Sequence, residues 1–228
     1  MKKVYLFLLL FLPVLAFSQQ DTTKTAASKP PKPPHRSLGI GIKAGLNFTN
    51  VTGTSSISNS SETGYQVGLF LDPSSESILG SRTELVYSHQ GYNYATGQTT
   101  GKVYLDYIML AQLMRINITR FFQIQLGTQI AYLINAKVDS TSSYGGILPP
   151  QEAQILNYYN RIDFGFSGGV EVRPFMGILV GVRYNLSLTN LYKIPDMSSG
   201  QAPPSFFPTT SDINFKNNLL QIYVGYRF

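Results

Sequence analysis

Nine ionisable residues have the types and the spacing that acid–base chemistry needs, because they fall on the polar side of segments in which polar and apolar residues alternate. They are Lys43, Arg82, Glu84, Asp106, Asp163, Glu171, Arg173, Arg183 and Arg227. Side chains two positions apart in a β-strand point to the same face, so all nine are predicted to face the interior of a barrel. A proton relay or a carboxylate-based hydrolase site could be assembled from them. Because the two signs of charge nearly balance, we favour ion pairs that fill a narrow lumen.

Ser88 and His89 are the residues that most resemble a nucleophile with its base, as acyl transfer requires. Neighbouring residues of a strand point to opposite faces, so their side chains cannot form that hydrogen bond without a bulge. We therefore predict no catalytic residue. The chain has no cysteine, which excludes disulfides and thiolate metal sites, and we predict no metal site and no cofactor.

The clearest element is a hairpin over residues 161–191. Apolar positions alternate from Ile162 to Val172 and again from Ile178 to Leu188, with Pro174 between the two runs. A period of two predicts strands, and the proline marks the turn between them. The opposite face carries charges and several glycines, which suits a crowded lumen in which large side chains do not fit.

The same alternation continues along residues 38–228 and predicts an all-β fold with about eight strands of ~10 residues each. The connections alternate between long and short, which is typical of an antiparallel up-and-down transmembrane β-barrel. In lipid, only a closed barrel satisfies the backbone groups of every strand. Residues 102–115 fit least well, because both faces are partly apolar. Either part of the interior is apolar there or a bulge changes the parity.

Three segments follow one another along the chain. Residues 1–18 have two lysines, an apolar run and small residues at 16 and 18, which predicts a cleaved signal peptide. Residues 19–37 are a Pro-rich arm on the periplasmic side, and residues 38–228 form the barrel. Residues 1–37 hold six of the 18 basic residues and one of the 12 acidic ones, so the barrel itself carries a net charge near +1. This balance speaks against nucleic acid as a partner.

Several short motifs resemble the PorT-like outer-membrane β-barrel family of Bacteroidota. They are GIKAGLN at 41–47, GYQVGLF at 64–70, ELVYS at 84–88 followed by Gly91, YLD at 104–106, GFSGGV at 165–170, RY at 183–184 and GYRF at 225–228. Where that family usually reads Leu-Glu-Ile-Pro, this chain has Leu-Asp-Tyr-Ile at 105–108. The resemblance implies a barrel in the Gram-negative outer membrane and, through the family's namesake, a link to protein secretion.

Two long loops and the end of the chain are predicted to contact partners. Loops of more than ~12–15 residues are usually functional or disordered, and residues 135–160 and 192–213 are that long. Their exposed apolar and aromatic residues suit a protein partner on the extracellular side, unless the loops only close the barrel mouth. The candidate contact residues are Tyr144, Ile147, Leu148, Phe206 and Phe207. Tyr226 and Phe228 resemble the terminal signal read by barrel-assembly machinery.

Together these features predict a small non-enzymatic outer-membrane barrel with a plugged polar lumen and both termini in the periplasm. It would be surrounded by outer-membrane lipid and would act through its extracellular loops as a structural, partner-binding or secretion-associated component. Two alternatives remain open. One is a barrel enzyme that uses carboxylates at the rim or in the lumen. The other is a periplasmic lipocalin-like barrel that binds a ligand with its apolar face inward.

Overall fold

Eight antiparallel strands pair in sequence order in the computed structural model, and the last strand pairs with the first to close a barrel. The strands are β1 (Leu38–Thr52), β2 (Ser58–Pro73), β3 (Leu79–Thr96), β4 (Thr99–Asn117), β5 (Phe122–Ser142), β6 (Ile162–Val172), β7 (Ile178–Ser187) and β8 (Lys216–Arg227). The structure describes residues 38–52, 58–73, 78–96, 99–142, 156, 159–175, 177–192 and 216–228. The predicted fold class is therefore confirmed.

The polarity of the barrel is that of a protein surrounded by lipid. Along β7, exposed and buried positions alternate without a break, and the exposed ones are apolar, as Val180 and Val182 illustrate. The buried positions between them include Arg183, Asn185 and Ser187. Apolar side chains thus face outward and polar ones face the lumen, which is the reverse of a barrel dissolved in water.

The two ends of the barrel differ. We call the end with the β2–β3, β4–β5 and β6–β7 turns the turn end, and the other the loop end. The first and last residues of the barrel meet at the turn end, where Phe228 N donates to Ile40 O at 2.9 Å. At the loop end β3 and β4 remain paired as far as Thr96 and Thr99. The apolar alternation is weak there, but the ladder continues because Tyr92 and Val103 pack inside.

The prediction for β4 needs a correction, because its apolar residues at odd positions face the lumen. Val103, Leu105 and Tyr107 are fully buried inside, whereas Ile108 and Leu110 are exposed outside. The interior beside this strand is itself apolar, so hydrophobicity did not distinguish its two faces. Asp106 consequently lies on the outer face and not in the lumen.

Several predicted features lie outside the described residues. These are the signal peptide at 1–18, the arm at 19–37 and the proposed loop contacts Tyr144, Ile147, Leu148, Phe206 and Phe207. Among the residues that the structure describes, no helix is long and apolar enough to cross a membrane.

Candidate functional site

The lumen is filled by three successive layers of side chains. Charged residues form the layer near the turn end, and neutral amides and hydroxyls form the middle layer. Apolar residues and tyrosines form the layer near the loop end. An eight-stranded barrel is just wide enough for side chains to fill it. Each layer is held by the alternation of its strands, which directs every second residue inward.

Glu84 on β3 is one centre of the charged layer. Its Oε2 accepts hydrogen bonds from Lys43 Nζ at 2.6 Å and from Arg183 Nη1 at 2.7 Å. Its Oε1 accepts a second bond from Arg183 Nη2 at 2.9 Å, so the planar guanidinium binds the carboxylate through two parallel bonds. The side chains of Lys43 and Glu84 are completely buried, and that of Arg183 is nearly so. Strands far apart in sequence are thereby tied together across the lumen.

Arg82 connects the two other carboxylates of this layer. Its Nη1 donates to Glu171 Oε2 at 2.5 Å, and its Nη2 donates to Asp72 Oδ2 at 2.8 Å. Asp72 also pairs with Arg115 and accepts a bond from Arg173 Nη2 at 3.1 Å. Asp72 is therefore shared by three arginines from three different segments of the barrel.

The charged layer, which we call the lumen network, contains more cations than anions. Its basic members are Lys43, Arg82, Arg115, Arg173 and Arg183, and its acidic members are Asp72, Glu84 and Glu171. Five basic and three acidic side chains leave a net charge of +2. Each carboxylate serves at least two cations, and loss of Glu84 would leave both Lys43 and Arg183 without a carboxylate partner. Loss of one cation leaves every carboxylate with a partner.

Neutral groups complete the contacts of Glu171. Gln123 Nε2 donates to its Oε1 at 2.5 Å, and Gln125 Nε2 donates to its Oε2 at 2.9 Å. The Tyr223 hydroxyl lies 3.2 Å from Glu171 Oε2, and the Tyr223 ring lies 4.4 Å from Lys43 Nζ. A buried ion pair is tolerated when its remaining lone pairs find donors, and these side chains supply them.

Glycine makes room for the largest of these side chains. A Cβ atom at residue 181 would lie 2.4 Å from Cζ of Tyr223, and one at residue 41 would lie 2.0 Å from Cζ of Phe70. The Phe70 ring in turn stacks 4.6 Å from the Arg82 guanidinium carbon. The glycines on the polar faces therefore have the function predicted from the sequence, which is to leave space in a narrow lumen.

The middle layer holds Ser88 in a neutral network. Ser88 Oγ accepts a hydrogen bond from Asn47 Nδ2 at 2.8 Å and another from Gln90 Nε2 at 2.9 Å. Gln90 Oε1 accepts from Asn217 Nδ2 at 2.7 Å. His89 points to the opposite face of β3, so Ser88 and His89 do not form a nucleophile–base pair.

Three tyrosine hydroxyls meet in the layer at the loop end, and we call them the tyrosine cluster. Tyr92 Oη lies 2.8 Å from Tyr159 Oη and 2.6 Å from Tyr192 Oη. Tyr159 and Tyr192 belong to the β5–β6 and β7–β8 connections and pair with each other as an isolated antiparallel bridge. Asn160 strengthens this bridge by donating to the backbone oxygens of Asn190 and Tyr192. The bases of two loops thus fold inward and pack on the apolar wall of the lumen.

Some of the predicted lumen residues lie apart from the lumen network. Asp163 faces inward but binds Ser187, whose Oγ donates to Asp163 Oδ1 at 2.6 Å. Arg227 lies at the turn end against Gly39. Asp106 is on the outer face, where Oδ1 lies 2.6 Å from His89 Nδ1. The structure brings the other six residues together, namely Lys43, Arg82, Glu84, Glu171, Arg173 and Arg183.

Two members of the lumen network, Asp72 and Arg115, are not among the nine candidate residues. The alternation along β2 predicts that Asp72 faces inward with Gln66 and Gly68, and the structure has it there, but its part in the charge network was not predicted. Arg115 shares the parity of Leu113, and the error about the faces of β4 hid it. The available signal was that a charged residue ends the row of apolar residues at the odd positions of β4.

Comparison with known proteins identifies a family. The model of the outer membrane protein beta-barrel domain matches residues 17–193, which is more than half of the chain. The comparison with curated proteins found no match.

The comparison with solved structures found barrels of low sequence identity. Ail, the attachment invasion locus protein of Yersinia pestis, has 11% identity and a TM-score of 0.45, with 84% of this chain and 100% of that chain covered. OprG of Pseudomonas aeruginosa has 12% identity and a TM-score of 0.44, with 85% and 97% covered. Neisserial surface protein A has 16% identity and a TM-score of 0.47, with 83% and 97% covered. From the family match over residues 17–193, the chain belongs to the outer membrane protein beta-barrel domain family and is a small barrel protein of the outer membrane.

Proposed function

We propose that this protein is a non-enzymatic barrel with a closed lumen, and that it acts through its loops as a structural or partner-binding component of the outer membrane. The observation that carries the proposal is the filling of the lumen at both ends. The lumen network closes the turn end, and the tyrosine cluster with its apolar wall closes the loop end. Because the lumen is filled by side chains, the surfaces available to bind other molecules are the outer face and the loops.

The proposal includes an orientation and an assembly route. Residues 1–18 act as a signal peptide, residues 19–37 form a periplasmic arm, and the short turns with both termini face the periplasm, as in bacterial barrels generally. Tyr226 and Phe228 act as the terminal signal for the barrel-assembly machinery. Both are exposed on the outer face of β8, with ring centroids 5.1 Å apart, so they are accessible to such a factor.

The likeness to the PorT-like family of Bacteroidota supports a role in protein secretion. The motifs at 41–47 and 84–88 that carry the likeness place Lys43 and Glu84 in the lumen, where the two side chains bind each other at 2.6 Å. These motifs therefore serve the closed lumen, and a secretion partner would be bound by the loops.

The alternatives are less well supported. Ser88 is buried among amides and faces away from His89, which weakens the case for a barrel enzyme of the acyl-transfer type. A periplasmic lipocalin-like barrel would need its apolar faces inside, whereas residues such as Leu69 and Val224 are exposed outside.

The closed lumen predicts an absence of conduction. In planar bilayers the purified full-length protein should give no steady current, because an ion would have to displace Arg82 and Glu171 at one end and Tyr92 at the other. Single-channel recording tests this expectation, with a large porin as the positive control. Reproducible openings on the nanosiemens scale would contradict a plugged barrel.

The loop function is tested by replacing Phe206 and Phe207 with Ser. If these residues bind a partner, co-purifying proteins should be lost while the unfolding midpoint of the barrel stays unchanged, because neither residue belongs to one of the eight described strands. Mass spectrometry of the purified membrane fraction and urea unfolding measure the two outcomes. A lowered midpoint with the same co-purifying proteins would mean that the loop only covers the barrel mouth. The same double replacement at Tyr144 and Leu148 tests the other loop.

A further inference from the structure

A polar cluster interrupts the outer face of the barrel near the loop end. Closer to the turn end the outward face carries apolar residues such as Leu85 on β3 and Val67 on β2, together with the neutral pair Thr83 and Gln112. His89 and Asp106 lie directly opposite each other on β3 and β4 and bind each other at 2.6 Å. Their side chains are only 25% and 14% exposed. A buried carboxylate on a lipid-facing surface is costly unless it is fully paired, so its surroundings are informative.

Asp106 is fully occupied by donors from two strands. Besides His89, the Tyr87 hydroxyl donates to Oδ1 at 3.0 Å and Asn135 Nδ2 donates to Oδ2 at 2.9 Å. Asn135 reaches Asp106 through a register shift, because Asp106 pairs with Asn135 while Tyr107 pairs with Leu133. An irregularity in the β4–β5 ladder thus brings the amide to the carboxylate. With three donors in place, Asp106 orients the imidazole and has little capacity left for a ligand.

The imidazole of His89 is fixed from both sides. Its ring stacks between Tyr65 and Tyr104, at centroid distances of 5.0 and 5.5 Å and interplanar angles of 25° and 18°. Nδ1 faces Asp106, so Nε2 points away from it, and among the described residues no hydrogen bond engages Nε2. When both ring nitrogens carry a proton, Nδ1 donates to Asp106, and Nε2–H is a donor directed away from that carboxylate. The result is a rigidly held imidazole on the outer face of the barrel, with Nε2 directed away from Asp106.

The position of this cluster along the barrel axis indicates which part of the membrane surrounds it. Tyrosines such as Tyr65, Tyr87 and Tyr104 mark the level of lipid headgroups in membrane proteins. Farther toward the loop end, Lys102 Nζ lies 3.1 Å from Glu62 Oε1 in an exposed pair, which belongs to the aqueous side. The residue directly opposite Tyr104 on β5 is the exposed Lys137, so charged side chains begin at this level of the outer face.

We propose that His89, oriented by Asp106, binds the phosphate of a lipid headgroup in the leaflet at the loop end. The chemistry is a hydrogen bond from Nε2–H to a phosphate oxygen, formed by the imidazole that carries a proton on both nitrogens in the complex. Tyrosines alone would anchor the barrel at the interface, and that task needs neither the histidine–carboxylate pair nor the register shift that supplies Asn135. This site is independent of the closed lumen and of any loop partner.

The chain offers a direct spectroscopic test, because it contains only two histidines. Full-length protein labelled with ¹⁵N-histidine is prepared in dodecyl maltoside, whose headgroup has no phosphate, and a His35→Gln variant assigns the remaining signals to His89. Phosphatidic acid is then added, with diacylglycerol of the same chains and inorganic phosphate as matched controls. We expect a saturable change of the Nε2 signal with phosphatidic acid and none with either control at the same concentration.

Two variants separate binding from folding. His89→Gln should abolish saturable binding of phosphatidic acid, and Asp106→Asn should weaken it about tenfold while also moving the Nδ1 signal before lipid is added. Heat-dependent gel mobility shows whether each variant is folded. An equal response of the wild-type protein to diacylglycerol or to inorganic phosphate overturns the assignment to a lipid phosphate. So does the absence of any response of the His89 signal to phosphatidic acid, a measurement in which His89 and Asp106 are both unchanged.

Discussion

Replacing Glu84 with Gln should cost about 3–5 kcal/mol of unfolding free energy, the range for breaking a buried ion pair by removing one partner. Glu84 binds Lys43 at 2.6 Å and Arg183 through two bonds, and all three side chains are buried. The amide keeps the shape of the side chain but raises the net charge of the lumen network from +2 to +3. The measurement is urea unfolding in lipid vesicles, with the folded fraction determined from heat-dependent gel mobility, since the chain has no tryptophan for fluorescence.

Lys43→Met is the matched control for Glu84→Gln. It removes the other end of the same contact but leaves Glu84 bound to Arg183, and it brings the lumen network closer to neutrality. We expect a change within about 1 kcal/mol, because an apolar side chain of similar volume often replaces a buried ion without loss. In the double variant Lys43→Met/Glu84→Gln, about 0.5–3 kcal/mol of the Glu84→Gln loss should be recovered. Equal losses in the two single variants would contradict the shared-carboxylate arrangement.

Val182→Arg should cost about 2–4 kcal/mol, as a charge placed on the lipid face of a barrel near the bilayer midplane does. Val182 lies in the middle of β7, points outward and is 40% exposed, with Val170 and Ile222 as its cross-strand neighbours. An arginine there meets hydrocarbon and has no carboxylate within the outward face of the adjoining strands. The same unfolding assay in vesicles measures the effect.

Ile178→Arg provides the control for depth. Ile178 is on the same face of the same strand and has a similar exposure of 42%, but it begins β7 at the turn end. At this level an arginine reaches the interface, so we expect a cost of about 0–1 kcal/mol. The same two substitutions in detergent micelles should differ less, because a micelle adapts its thickness. If Ile178→Arg costs as much as Val182→Arg, then Val182 does not lie near the bilayer midplane with Ile178 at the interface.

The strands themselves followed from local pattern. In β7, the alternation of Val180, Val182 and Tyr184 with Gly181 and Arg183 predicted both the strand and its two faces, and the structure has the same parity throughout. The sequence could be interpreted directly there because every outward residue is apolar and every inward residue except Leu179 is polar or small. The Pro174 break likewise predicted the turn between β6 and β7.

The prediction failed where the lumen changes character. On β4 both faces are apolar, because the outer face meets lipid while the inner face packs on the tyrosine cluster. Periodicity cannot distinguish two apolar faces, so Asp106 was placed inside and Arg115 was overlooked. The register shift beside Asp106 was not visible either, since it depends on which residue of β5 pairs with it.

The sequence by itself determined the class of fold, the sidedness of most strands and the set of residues from which a buried charge network would be built. These depend on the period of two and on the difference in polarity between lipid and lumen, and both are local properties. Only the tertiary structure decided which charges meet. Arg183 binds Glu84 across 99 positions of sequence, and Arg82 binds Glu171 across 89. Closure of the barrel sets the register of all eight strands together, and side chains that face each other across a lumen have no relation along the chain that a local pattern could reveal.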